Sequence, residues 1–204
     1  MNVLNDKIIK QLIQKGEQVV HPFEEDNLQP ASIDLRLGST YYKYNLDNHY
    51  ILGEVIDTEK VEKNKFKTLL LKSNEAAFIG IHEKITIPKN AIGIIFPRSS
   101  ITRLGIQIIT TYMNPGYSGY MPLTIINHTD LPITLKPGYR VAQLILLALN
   151  SLPEKQYKDS DDTKYYNEDV EYSKLHTDKE LKQMLDEIIE EEAPILHKMI
   201  KNPN

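Results

Sequence analysis

The chain has 204 residues, 24 of them Lys or Arg and 28 Asp or Glu, with a formal net charge of −4 and no cysteine. That length suits one domain with a sizeable core and an appendage, and the acidic balance argues against general nucleic-acid binding, which wants a basic surface. No apolar run is long enough to span a membrane, the N-terminus does not read as a signal peptide, and the missing cysteines rule out disulfides and fit a reducing cytoplasm.

In chain order, Asn5 or Asp6 can cap an opening helix in which Ile8, Ile9, Leu12 and Ile13 form one apolar stripe, with Gly16 ending it. His21-Pro22-Phe23 then leads into Glu24-Glu25-Asp26, an acidic loop at the surface. Ser32-Ile33-Asp34-Leu35-Arg36-Leu37 alternates as a half-buried strand does, so Asp34 and Arg36 share the face opposite Ile33, Leu35 and Leu37. An ion pair between these two is one reading of that face. Residues 39–65 show no clean period and read as an irregular hairpin or loop insertion. Strands are predicted again at Phe66–Leu71, Ala77–His82, Ile85–Ile87 and Ile92–Phe96.

From Ile94 to Leu149 the pattern is clearest. Apolar, β-branched runs at Ile106–Tyr112, Leu123–Asn127 and Val141–Leu149 alternate with punctuation at Asn114-Pro115-Gly116, Ser118-Gly119 and Lys136-Pro137-Gly138. Such spacing predicts an antiparallel sandwich or barrel. Set into it are Arg98-Ser99-Ser100 and Arg103. Arginine forks, neighbouring hydroxyls and backbone N–H groups can close around a phosphate. Between Glu83 and Asp130 there is no Asp or Glu, so no local carboxylate is present to act as a base. The six histidines show no metal-ligand spacing; His128, just after Asn127, is either a turn residue or a proton acceptor.

The C-terminal part divides in two. Lys155–Tyr172 is polar and Tyr-rich and would not pack alone. Beyond it Asp178 can cap a helix carrying Leu181, Leu185 and Ile188, widened by Met184 and Ile189, and Pro194 can open a second short helix with Ile195, Leu196, Met199 and Ile200. No fixed-period repeat or low-complexity linker interrupts the chain.

Four ordered blocks carry a resemblance. Gln29-Pro30-Ala31-Ser32-Ile33-Asp34-Leu35-Arg36-Leu37-Gly38, Pro97-Arg98-Ser99-Ser100-Ile101-Thr102-Arg103-Leu104-Gly105, Asn114-Pro115-Gly116-Tyr117-Ser118-Gly119 and Pro137-Gly138-Tyr139-Arg140-Val141-Ala142-Gln143-Leu144 resemble the dCTP deaminase/dUTPase superfamily. Tyr157, Asp162, Lys164 and Tyr165 fall at the spacing of the deaminase branch's C-terminal arm. The resemblance implies a mostly β, jelly-roll-like antiparallel β-barrel spanning 1–152, an arm at 153–175 and, as an addition, a helical extension at 176–204. It implies a homotrimer or dimer of trimers with nucleotide sites between subunits. Arg98, Ser99 and Ser100 would bind phosphates, Arg103 base or phosphates, and Gln143 a phosphate oxygen. Thr111, Tyr112, Asn114 and Tyr117 would line sugar and base, Lys164 and Tyr165 would close from the arm, and Asp34 would help hold Mg²⁺ through water near a triphosphate.

Two positions depart from the family. Asn114 stands where the dUTPase branch has an Asp that contacts the deoxyribose, and Thr124 where the deaminase branch has its general acid/base Glu. Asn takes no proton at neutral pH, and a Thr hydroxyl does not replace a tuned carboxylate. The loop from Gly105 to Asn114 is also about two residues shorter than the resemblance leads one to expect. A zinc deaminase site needs a cysteine pair that this chain lacks, so any deamination would be zinc-free. The expectation is a cytoplasmic nucleotide-binding protein that sequesters or senses a nucleotide, such as a phage sponge for an immune nucleotide signal. The alternatives are an active dCTP deaminase or Mg-dependent dUTPase using a carboxylate from elsewhere, such as Asp34 or Asp130, and a structural module. The C-terminal helices would brace the trimer, cover the site or recruit a protein partner.

Overall fold

A computed structural model describes residues 2–45, 50, 52–155, 157–159, 163–181 and 183–184. In chain order the elements are β1 (Asn2–Val3), α1 (Asp6–Gln14), β2 (Val20–His21), β3 (Leu28–Gln29), β4 (Ser32–Tyr44), β5 (Val61–Lys65), β6 (Leu69–Leu71), β7 (Ala76–Ile81), β8 (Lys84–Thr86) and β9 (Ala91–Pro97). There follow α2 (Ser99–Thr102), β10 (Ile106–Ile108), β11 (Thr111–Met113), β12 (Ser118–Tyr120), β13 (Pro122–Asn127), β14 (Ile133–Leu135), β15 (Arg140–Ala148) and β16 (Glu168–Asp169).

The main sheet runs β10-β13-β7-β4-β15-β9-β11, with β1 on β15 and β3 and β5 on β4. Its two ends, β10 and β11, are consecutive in the chain and separated only by Ile109 and Thr110, so the sheet must curl until its edges meet. That link bends the sheet into a half-barrel. It also splits the predicted strand Ile106–Tyr112 in two: β10 pairs with β13, while β11 pairs with β9. Smaller sheets, β16-β12-β8-β2 and β14-β6, complete the wall.

Period-two alternation fills the interior. Leu123 and Ile125 of β13, Leu144 and Leu146 of β15, Ile79 of β7 and Ile33, Leu35 and Leu37 of β4 are all buried. The opening helix is capped by Asn5, whose side chain accepts from the Ile8 N–H. It buries Ile9 and packs Leu12 and Ile13 on the core, whereas Ile8, predicted in the same stripe, is exposed. Residues 39–65 are more regular at their ends than the sequence suggests. β4 continues to Tyr44 because Tyr41 and Tyr42 are buried, Tyr41 edge-on to Phe66 and Tyr42 stacked on Phe78. Asn127, fully buried, donates to the carbonyls of Leu71, Lys72 and Leu131 and accepts from Thr129, tying two loops to the end of β13.

Two compact units emerge. The described residues within 2–43 and 63–171 form one, and those within 44–62 and 172–184 form the other. In the second unit, the Ser173 N–H donates to the Tyr44 hydroxyl and Asn45 N–H to the Lys60 carbonyl. Residues 179–181 and 183–184 are helical directly after Asp178, and the remaining predicted helical residues, Leu185 to Ile200, lie outside the described residues. No helix among the described residues is long and apolar enough to cross a membrane.

Candidate functional site

Three neighbouring strands bring a charged cluster to the outer face of the barrel. Asp34 of β4 is paired with Gln143 of β15, which is paired with Phe96 of β9, and Arg98 follows directly after β9. The Asp34 carboxylate is 1% exposed, yet three cationic or polar side chains converge on it. Arg98 Nε lies 3.6 Å and Arg140 Nη1 3.5 Å from its Oδ2, and Gln143 Nε2 lies 3.4 Å from its Oδ1. Arg98 is held by its own N–H to the Val141 carbonyl and by Nη1 to the Arg140 carbonyl, and Arg140 Nη1 also donates to the Asp26 carbonyl.

The charge balance matters more than any single contact. A buried carboxylate needs partners, and here one carboxylate faces two guanidiniums, leaving one positive charge in excess. Contacts of 3.4–3.6 Å are long for hydrogen bonds. Each guanidinium has five donors, so the forks keep capacity for an incoming anion such as a phosphate.

Asp34 and Arg36, predicted to share a face, do not pair. Arg36 instead donates through Nε to Glu83 at 2.7 Å and through Nη1 to Glu24 at 2.6 Å, and Glu83 also accepts its backbone N–H. Burial pulls the Arg36 guanidinium down, but hydrogen bonds and charge from Glu83 and Glu24 outweigh it and hold the group above its usual value. The acidic loop is thus a partner of the barrel as well as surface.

The remaining predicted site residues divide. Ser99 and Ser100 open α2, Arg103 caps its far end, and all three are exposed. Thr111 and Tyr112 stand opposite Ile95 and Ile94, and the exposed Tyr112 hydroxyl donates to Asn114 Oδ1 at 3.1 Å. Asn114 begins a type II turn, with Gly116 at φ 81 and the Tyr117 N–H closing on the Asn114 carbonyl. Tyr117, predicted to line sugar and base, is 2% exposed and points into the barrel unit instead. Lys164 and Tyr165 are half-buried just before β16. Thr124 faces away from the core on β13, opposite Phe78, and the strands β7 and β4 separate it from β15. His128 stands at the end of the β10–β13 pairing, its Nε2 2.7 Å from Gln107 Oε1 and its backbone N–H on the Gly105 carbonyl.

Arg140 joins the cluster on Asp34 although the predicted site residues leave it out; its signal is the single cation of a mostly apolar strand. Magnesium fits this cluster poorly. Both Asp34 oxygens face nitrogen donors, and no three His, Asp or Glu side chains gather to hold a metal among the described residues.

A curled antiparallel sheet of the dUTPase-like barrel type, with two arginines and a glutamine gathered on a buried carboxylate, is the class that fold and site define. Residues 3–149 match the family described as dCTP deaminase-like. A protein named dCTP deaminase, dUMP-forming, from Methanopyrus kandleri is 33% identical over 189 residues, covering 87% of this chain and 98% of its own. One of the same name from Nanoarchaeum equitans is 34% identical, covering 81% of this chain and 93% of its own. The 2'-deoxycytidine 5'-triphosphate deaminase structure from Agrobacterium tumefaciens superposes with a TM-score of 0.57 at 23% identity, over 71% of this chain and 47% of that one. The chain belongs to the dCTP deaminase-like family.

Proposed function

We propose that this chain binds dCTP with its phosphates on the cradle of Arg98, Ser99, Ser100, Arg140 and Gln143, and converts it to dUMP at a rate far below that of an enzyme with the family's carboxylates. The observation that carries the binding is the convergence of Arg98, Arg140 and Gln143 on the buried Asp34. The choice of dCTP, and the reaction, come from relatives named dCTP deaminase, dUMP-forming, whose likeness runs through nearly their whole length. That reaction consumes two waters and releases ammonia and pyrophosphate, and each water must give up a proton. Asn114 and Thr124 accept none, and the cross-strand neighbour of Thr124 is Phe78. Losing a positioned general base costs about 10²–10⁴ in rate.

The same observation favours a second reading, in which the nucleotide is sequestered or sensed and released unchanged. Both readings place the site between copies of the chain in a homotrimer. Support comes from the separation of Thr124 from the cradle by β7 and β4, and from Phe96, Leu104, Tyr112 and Tyr139, large apolar side chains left exposed. Sedimentation with and without dCTP, beside chromatography of the recovered nucleotide, tests assembly and turnover together. A monomer that binds dCTP with full affinity overturns the shared site.

A further inference from the structure

The buried Tyr117 ends its ring on a carboxylate. Its hydroxyl donates to Glu168 Oε1 at 2.5 Å, and Glu168 is itself 4% exposed. Glu168 belongs to β16, which runs parallel to β12 with Glu168 opposite Gly119, and the Asn167 N–H donates to the Ser118 carbonyl. Two glycines make room for this strap. A Cβ on Gly119 would stand 2.8 Å from Glu168 Cγ and 2.9 Å from the Tyr117 hydroxyl, and one on Gly80 would stand 2.3 Å from Val170 Cγ2. The strap is strained where it docks, with Asn167 at φ 56 and the β-branched Val170 at φ 49. Such conformations persist only where the surroundings over-determine them. Tyr117 meanwhile closes the turn at Asn114 through its N–H and holds the Ile87 N–H through its carbonyl.

We infer that Glu168 is a positioning residue: through Tyr117 it fixes the Asn114–Tyr117 turn, so that docking of the strap 167–170 and binding of a nucleotide's sugar and base are coupled. Burial first, and the Glu168 charge second, push the Tyr117 phenol up, so it stays protonated and remains the donor. The inference rests on the nucleotide reading above. A ligand that orders the turn tightens the strap, and an undocked strap leaves the turn without its fixed corner.

Amide hydrogen exchange on the full chain, with and without dCTP, reads the coupling. In E168A, exchange of 167–170 and of 114–119 is expected to rise about tenfold while β15 stays protected, and dCTP is expected to bind about tenfold more weakly. E168Q, whose amide oxygen still accepts from Tyr117, should restore most of both. Where E168A fails to fold, Y117F removes the same bond and leaves the ring. Faster exchange in the strap with the turn unchanged overturns the inference, as does an unchanged strap. Wild type that binds no dCTP defeats the nucleotide reading instead, because the exchange of the turn in E168A is read without any ligand.

Discussion

Asp34 and Arg36 stand two residues apart on one strand and answer to different parts of the molecule. Arg36 closes a network with Glu83 and Glu24, while Asp34 gathers side chains more than 100 positions along the chain, at 106 for Arg140 and 109 for Gln143. Their polarity was legible from alternation, but the partners were not, because sheet order and not sequence spacing brings β15 beside β4. Arg140, on this reading, carries phosphate charge. R140Q is expected to weaken dCTP binding about tenfold or more, the worth of a charge-assisted hydrogen bond, with less effect on dCMP; isothermal titration at two salt concentrations checks it, and equal loss for both nucleotides would remove Arg140 from the phosphates. Asn127 shows the same dependence on context in a structural role. N127D turns an amide whose two hydrogens serve three carbonyls into a buried acceptor, so a loss of about 3 kcal/mol or more is expected in thermal or urea unfolding, and a loss under about 0.5 kcal/mol, the range of surface substitutions, would contradict the role.

Among the elements, strands came through best where β-branched runs were bounded by turn residues, as in β13 and β15. Propensity could not see the switch between β10 and β11, since Ile106–Tyr112 is a continuous strand-forming run and only the change of partner from β13 to β9 divides it. Nor did composition reveal that β4 runs on to Tyr44 through two buried tyrosines. Just before that end, Lys43 Nζ meets Glu75 Oε1 at 2.5 Å, joining β4 to the start of β7. Burial alone would raise the Glu75 carboxyl, but the Lys43 hydrogen bond and charge, with the Lys72 N–H, outweigh it and hold the group below its ordinary 4.5. A depressed carboxyl stabilises the fold above the unfolded value and loses that contribution as pH falls through the folded one. The Tm gap between wild type and E75Q is therefore expected to be widest near neutral pH and to close below pH 4.5; a gap that stays constant with pH would show that the pair contributes nothing through charge.

At the scale of the whole molecule, the sheet sets the cluster on Asp34 and the strand bearing Thr124 on parts separated by β7 and β4. The cluster on Asp34 was legible in part, because Arg98 and Gln143 lie in recognisable blocks. The burial of the Tyr117 ring was not legible, because turn chemistry at Pro115-Gly116 reports backbone shape and not which way the next ring points. In the proposed function, phosphate binding survives while the family's proton-transfer groups do not. Calorimetric titration of wild type and an N114D/T124E variant with dCTP, with product analysis on the same samples, tests this most directly. Saturable binding by both is expected, with little dUMP from wild type and a rise of about 10²-fold or more in dUMP, ammonia and pyrophosphate from the variant. Wild-type turnover in the ordinary range of about 1–10³ s⁻¹, or no binding heat at all, would contradict it.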